Sequence, residues 1–165
     1  MLKLHTKDVP VNEPAKRFKI ISIRNYFVAE IRKTRIYKEY IIKYHSYDNP
    51  ETDEEKCFKK FAVGKPENHV TDKIDINRLK RMHWIHNILD YMISNDFQDP
   101  SGLIKITSDS IDTTRDKFNL YIIYEKYNYV VMINVRKPFM IVSSGFYSYD
   151  GKGLQKFLRY FNANI

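Results

Sequence analysis

The clearest pattern in the chain lies in its second half, where a helical spacing of apolar residues gives way to closely spaced apolar runs. Between residues 76 and 94, apolar side chains recur every three or four positions, as on one stripe of an amphipathic helix, and Asp75 or Asn77 can cap its start. The stripe consists of Leu79, Met82, Ile85, Leu89, Met92 and Ile93. Three runs rich in β-branched and aromatic residues follow at 119–125, 129–136 and 139–147, separated by turn signals at Asn128 and Lys137-Pro138. The pattern predicts a helix followed by three antiparallel strands.

The first half of the chain is less regular. Residues 19–32 alternate, with Ile21, Ile23, Phe27, Ala29 and Ile31 on one side, which favours a half-buried strand and leaves a helix as the alternative. Residues 35–45 have a similar mix and are expected to pair back on that strand. Pro10 and Pro14 interrupt residues 1–16, so we predict an irregular arm there. Shorter helices are predicted at 54–61 and 154–161.

Together these elements predict an α+β fold. An amphipathic helix packs on a small antiparallel β-sheet, and a β-rich basic extension precedes it. With 165 residues the chain is long enough for one core, so we predict an arm at 1–16 and a single domain at 17–165. The polar loop at 47–55 marks the end of a candidate N-terminal subdomain at 17–48.

The cysteine content and the absence of long apolar runs indicate in which cellular compartment the protein is expected. Cys57 is the single cysteine, which excludes an internal disulfide and favours a structural thiol in a reducing compartment. No apolar run approaches the ~20 residues of a membrane-spanning helix, and the N-terminus lacks a secretory apolar stretch. We therefore expect a cytoplasmic protein without membrane contact.

The distribution of charge is the feature that most strongly indicates a class of binding partner. The net charge is +8, and residues 1–50 contain eleven Lys and Arg against five Asp and Glu, a net +6. Cations interleaved with tyrosines are typical of surfaces that bind single-stranded nucleic acid, because cations meet phosphates and rings stack on unpaired bases. The predicted nucleic-acid-binding residues are Arg24, Tyr26, Arg32, Lys33, Arg35, Lys38 and Tyr40.

Two histidines on the predicted helix raise the question of a metal. His83, His86 and Asp90 share a spacing that suits metal ligands, but the sequence offers no fourth ligand, and we predict surface histidines and no metal. His86 and Asp90 are placed at the polar edge of the helix. Gly151-x-Gly153 is too short for a phosphate loop, so no cofactor is predicted.

The order of these elements resembles a known family of nucleases. A histidine after a loop, a basic helix, a polar segment with arginine, and the strand runs 120–124, 129–133 and 140–144 are similar to the barnase, EndoU, colicin and RelE ribonuclease superfamily over residues 67–149. Ser143 or Ser144 stands where that family has a final-strand threonine, and Phe146 or Tyr147 stands for the aromatic residue beyond it. The resemblance implies a small helix-plus-sheet domain that cleaves RNA without metal, as in toxins and phage nucleases.

The resemblance also implies roles for particular residues. His69 would exchange protons, because histidine titrates near working pH. Arg78, Arg81 or Arg115 would hold the scissile phosphate, and Ser144 and Tyr147 would orient it. The alternative is a non-enzymatic protein from a phage or mobile element that binds nucleic acid or inhibits a host protein. RNA or single-stranded nucleic acid, and a host or inhibitor protein, are therefore the expected partners.

Overall fold

The computed structural model describes residues 2–6, 13–63, 74–109, 117–148 and 151–163. Within these ranges the chain forms four α-helices and six strands. The helices are α1 (Glu13–Ile31), α2 (Glu54–Ala62), α3 (Ile76–Ser94) and α4 (Lys152–Ala163). The strands are β1 (Arg35–Tyr37), β2 (Tyr40–Tyr44), β3 (Ile104–Ser108), β4 (Lys117–Tyr124), β5 (Tyr129–Arg136) and β6 (Phe139–Tyr147). No helix in the described ranges is long and apolar enough to span a membrane.

All six strands belong to one sheet in the order β1-β2-β6-β5-β4-β3. Every neighbouring pair is antiparallel except β2 and β6, which run parallel. The α+β class and the largely antiparallel sheet predicted from the sequence are confirmed. The three predicted runs appear as β4, β5 and β6, and Asn128 adopts the left-handed conformation that their first turn requires (φ 50°).

The two faces of the sheet bury different helices. α1, α2 and α3 share one large core with one face, in which Ile85 and Leu89 of α3 pack with Val131 and Val142. α4 covers part of the other face, where its Leu154 and Phe157 are buried with Tyr121, Ile123 and Val130. Because side chains alternate along a strand, a single strand can supply both cores.

The strand predicted at 19–32 is wrong, since this segment lies in the helix α1. Ile23, Phe27 and Ile31 recur every four residues and are buried, and Ile20 packs beside them. Ile21, which the strand prediction placed on the buried side, is 55% exposed. The apolar residues fit both periods, and packing against α3 selects the helical one.

The predicted β-rich extension is correspondingly reduced to a short hairpin. β1 and β2 pair with each other rather than with residues 19–32, and the turn between them has Lys38 at φ 51°. β2 then joins the main sheet beside β6. The arm boundary predicted at residue 16 falls inside α1, which begins at Glu13.

The predicted position of His86 at the polar edge of the central helix is wrong. His86 is fully buried, and its Nδ1 is 2.7 Å from the hydroxyl of Tyr44. Its ring also lies 5.2 Å from that of Phe27, centroid to centroid. α3 is covered by the sheet on one side and by α1 and α2 on another, so its buried surface is wider than a single stripe. His83 is likewise buried.

Candidate functional site

A cleft of about 460 Å³ opens where the segment 2–6 crosses α3 beside one end of the sheet. The N-terminal arm, defined here as residues 2–6, forms one wall. The turn between β4 and β5 and the end of β6 form the others. The lining residues are Leu4, His5, Thr6, Arg81, Trp84, Lys126, Tyr127, Asn128 and Tyr147.

Arg81 is the arginine that lines this cleft. Its guanidinium carbon is 3.7 Å from the ring centroid of Tyr147 and 5.4 Å from that of Trp84, so the group rests on aromatic faces. One guanidinium nitrogen donates to the carbonyl of Asn77 at 3.1 Å. The Nε atom is buried and has no hydrogen-bond partner among the described residues. A ligand in the cleft would therefore meet the terminal guanidinium nitrogens, of which one hydrogen-bonds to Asn77 within the described residues, and a guanidinium that is not paired with a carboxylate is suited to bind an anion.

The register of the sheet explains why Arg81 and Tyr147 meet. Tyr147 is paired with Tyr129 on the neighbouring strand, and both side chains lie on the face covered by α3. The Tyr129 hydroxyl donates to the main-chain carbonyl of Arg81 at 3.4 Å. Burial raises the pKa of Tyr129, which keeps this hydroxyl protonated as a donor.

The N-terminal arm is attached to the rest of the protein by main-chain and side-chain contacts. The Trp84 indole N–H donates to the carbonyl of His5 at 2.6 Å, and the Tyr124 hydroxyl donates to the carbonyl of Leu2 at 3.1 Å. Leu4 is buried in the main core. The next residue, His5, is exposed and lines the cleft.

The lining chemistry favours a negatively charged ligand. Arg81 and Lys126 carry positive charge, and Tyr127, Tyr147 and Trp84 supply rings. The described lining contains no carboxylate to neutralise the two cations. The cleft is therefore a small aromatic and cationic site.

Arg81 and Tyr147 are both predicted site residues, and they lie in contact. Arg78, one turn earlier on α3, is half-buried with its Nε 3.9 Å from the carboxylate of Asp75 and does not line the cleft. Ser144 lies on the opposite face of the sheet, because it pairs with Met132, which packs with the α4 core. His69 and Arg115 fall outside the described residues.

The cations of the predicted nucleic-acid-binding segment are not free to bind phosphates, as the prediction supposed, but paired with carboxylates. All five of its cations lie within ion-pair distance of a carboxylate. The pairs are Arg24–Glu55, Arg32–Glu54, Lys33–Glu30, Arg35–Glu30, Arg35–Asp90 and Lys38–Asp96. Tyr26 and Tyr40 are half-buried. The positive charge of this segment is thus largely balanced within the protein.

Arg35 departs furthest from a surface role. Only 7% of the residue is exposed, and its side chain bridges Glu30 and Asp90 at 2.7 Å each. Burial disfavours the charge of Arg35, but hydrogen bonds with Asp90 and Glu30 outweigh it and raise its pKa. Arg35 therefore joins β1, α1 and α3 from inside the structure.

Of the charged and titratable side chains that line the cleft, the sequence predicts Arg81 and Tyr147 as site residues but not His5 or Lys126. His5 stands in a segment with no regular pattern, and its neighbour Trp84 is 79 positions away in the chain. Lys126 belongs to a short turn between strands, where lysine carries no particular signal. Only the folded arrangement brings either residue beside Arg81.

The structure also bears on the reactivity of Cys57 and on whether side chains cluster to bind a metal ion. Cys57 is fully buried, and burial raises the pKa of its thiol to about 12, which leaves little nucleophilic thiolate at neutral pH. Within the described ranges, no group of three or more His, Cys, Asp or Glu side chains could hold a metal ion.

In comparisons with known proteins, the chain matches no family model, no curated protein and no solved structure.

Proposed function

We propose that this protein binds single-stranded RNA in the cleft around Arg81 and cleaves it without a metal ion. One observation carries the proposal. Arg81 lines the cleft and has no described carboxylate within ion-pair distance, whereas the five cations of the segment 24–38 are all paired. Among these arginines and lysines, Arg81 is the one best prepared for a phosphate.

The size and lining of the cleft support an unpaired nucleotide as ligand. Its volume of about 460 Å³ lies in the ~300–1,000 Å³ range of small-ligand sites, which suits one or two nucleotides but no duplex. A phosphate accepts from the guanidinium of Arg81, and Lys126 adds a second cation beside it. Tyr127, which is half-buried at the rim, offers a ring on which a base stacks.

The proposed cleavage uses charge stabilisation by side chains. Attack of a ribose 2′-hydroxyl on the adjacent phosphorus places extra negative charge on the phosphate oxygens, and fixed cations stabilise that charge. Arg81, held over the Tyr147 ring and by the carbonyl of Asn77, is suited to this role. Mg²⁺ sites are built from carboxylates, which the described lining of the cleft lacks. The positive charge of the side chains takes the place of a cation.

Incubation of the purified protein with labelled single-stranded RNA and DNA in EDTA tests the proposal. Wild type and Arg81→Ala are compared, with Arg24→Ala as a matched control, because Arg24 is paired with Glu55 outside the cleft. We expect cleavage of RNA alone, abolished in Arg81→Ala and retained in Arg24→Ala. Binding without cleavage, still dependent on Arg81, would favour the alternative of a non-enzymatic nucleic-acid-binding protein. Absence of both would contradict any nucleic-acid role for the cleft.

A further inference from the structure

We propose that His5, carried into the cleft by the N-terminal arm, is the residue that exchanges protons with the RNA. This inference rests on the proposed function, because it assigns a chemical role within the same site. His5 would thus take the proton-transfer role that the family resemblance implies for His69, from an arm without regular secondary structure. The arm then becomes part of the active site.

His5 is the side chain of the lining best suited to proton transfer. The charged and titratable groups that share the described lining with it are Arg81, Lys126, Tyr127 and Tyr147. Guanidinium and ammonium groups stay protonated at neutral pH, and a phenol ordinarily gives up its proton only near pH ~10. Imidazole exchanges protons near pH ~7, which is what a general base or acid requires.

The attachment of the arm fixes the position of His5 more firmly than its exposure suggests. The indole of Trp84 holds the His5 carbonyl, the buried Leu4 anchors the preceding residue, and the Tyr124 hydroxyl holds Leu2. Trp84 also lies against Tyr129, with ring centroids 5.1 Å apart, and beneath Arg81. One indole thus touches both the proposed phosphate ligand and the main chain of the proposed proton carrier.

The step that follows is a transesterification. Neutral His5 takes the proton of the 2′-hydroxyl as the 2′-oxygen forms a bond to phosphorus. The bond between phosphorus and the 5′-oxygen breaks, and that oxygen leaves with a proton from water. The products are a 2′,3′-cyclic phosphate and a free 5′-hydroxyl, and the proton on His5 returns to solvent. No oxidant, reductant or co-substrate is required.

The first test separates cleavage from binding. His5→Ala is expected to lower kcat by ~10²-fold or more, the usual contribution of a general base, while the affinity for RNA with a 2′-O-methyl group at each position stays within about threefold. Added imidazole should restore part of the His5→Ala rate, and His5→Gln should stay as slow as His5→Ala. Lys3→Ala is the matched control, since Lys3 lies on the same arm but does not line the cleft.

The second test asks whether the arm positions His5. Trp84→Phe keeps a ring but removes the indole donor, so kcat should fall with little change in KM, and the pH–rate profile should change shape as His5 loses its fixed place. Thermal unfolding of each variant shows whether it is folded. A positioning role is contradicted if Trp84→Phe is folded and has the wild-type profile.

The outcomes keep the two proposals apart. If wild type cleaves RNA, Arg81→Ala is inactive and His5→Ala cleaves at the wild-type rate, the role of His5 is overturned and the proposed function stands.

An NMR titration with uridine 3′-phosphate gives a readout that needs no turnover. The His5 ring resonances should shift in wild type and not in Arg81→Ala. Resonances that stay fixed while the nucleotide binds would overturn the inference, and a wild type that neither cleaves nor binds overturns both.

Discussion

Arg81 differs from the three arginines of the segment 24–38 in what surrounds its charge. Arg24, Arg32 and Arg35 each donate to carboxylates, whereas Arg81 donates to one main-chain carbonyl and has its guanidinium carbon 3.7 Å from the ring centroid of Tyr147. A stacked guanidinium is already restricted in rotation before a ligand arrives, so binding costs it less entropy. The difference lies in the environment of the residue and not in its type.

Replacement of Arg81 by lysine separates charge from shape. Arg81→Lys keeps the positive charge but removes the planar fork and the stack on Tyr147, so we expect RNA affinity to fall by about tenfold, near ~1.4 kcal/mol. Fluorescence anisotropy with 2′-O-methyl RNA measures it. Equal affinity in wild type and Arg81→Lys would mean that charge alone is recognised.

His86 gives a prediction about pH and stability. Burial, together with the nearby positive charge of Arg35, lowers the pKa of His86 to about 3, whereas an unfolded histidine titrates near ~6.5. The unfolded chain therefore takes up a proton that the folded protein excludes. The contribution of neutral His86 to the free energy of unfolding is fully present above pH ~6.5. It decreases as the pH falls towards 3, by at most about 1.4 kcal/mol per pH unit. Between pH ~6.5 and ~5 the decrease is about 2 kcal/mol.

Urea unfolding at a series of pH values checks this prediction. In His86→Gln the free energy of unfolding should change less steeply between pH ~6 and ~4 than in wild type, by about one proton. The absolute stability of the variant does not matter, because the slope is the quantity compared. An unchanged slope would show that His86 is not the group that titrates on unfolding.

At the scale of elements, α1, β1 and α3 are joined by the buried ion pairs of Arg35. The side chain of Glu30 is 9% exposed, so removal of Arg35 leaves a buried carboxylate with only Lys33 as a described cationic partner. We expect Arg35→Met to lower the free energy of unfolding by about 3 kcal/mol. Glu30→Gln combined with Arg35→Met should recover part of that stability. Urea denaturation measures both, and a change below ~1 kcal/mol in the single variant would contradict the structural role.

The elements also show how far sequence reasoning reaches in this chain. α3 and the strands β5 and β6 have the bounds that the sequence predicts, because one period fits each of them and turn residues mark their ends. α1 is missed because Ile23, Phe27 and Ile31 fit a period of two as well as a period near four. Local spacing cannot choose between the periods, whereas the packing of α1 on α3 and α2 does.

The residues of the candidate site likewise fall into those that the sequence predicts and those that only the folded structure brings together. Arg81, as one of three candidate arginines, and Tyr147 come from the family resemblance, which rests on the order of elements. Ser144 and Tyr147 are three positions apart on β6 in regular register with β5, and the alternation of side chains along a strand places them on opposite faces. His5 depends on a contact across most of the chain, which no local pattern contains.

At the scale of the whole molecule, the position of the positive charge matters more than its amount. The net charge is +8, but carboxylates of α1, α2 and α3, together with Asp96 just after α3, balance the cations of the segment 24–38. Opposite charges a few ångströms apart produce little field at a distance. Arg81 and Lys126 have no described ion pair, and they share one cleft. RNA should therefore respond to these two residues first.

Two sets of substitutions test this with opposite expectations. Arg24→Gln, Arg32→Gln and Lys38→Gln together remove three positive charges from +8 and leave +5, whereas Arg81→Gln with Lys126→Gln removes two and leaves +6. If the cleft binds the RNA, the second set should weaken binding more although it keeps more net charge. The slope of log K against log salt should fall by about 0.7 for each phosphate of a single strand that the protein no longer neutralises, so by about 1.4 for the second set and by little for the first. Affinities that instead follow net charge would show that RNA is held by the general field of the protein, and Arg81 would then not be a specific phosphate ligand.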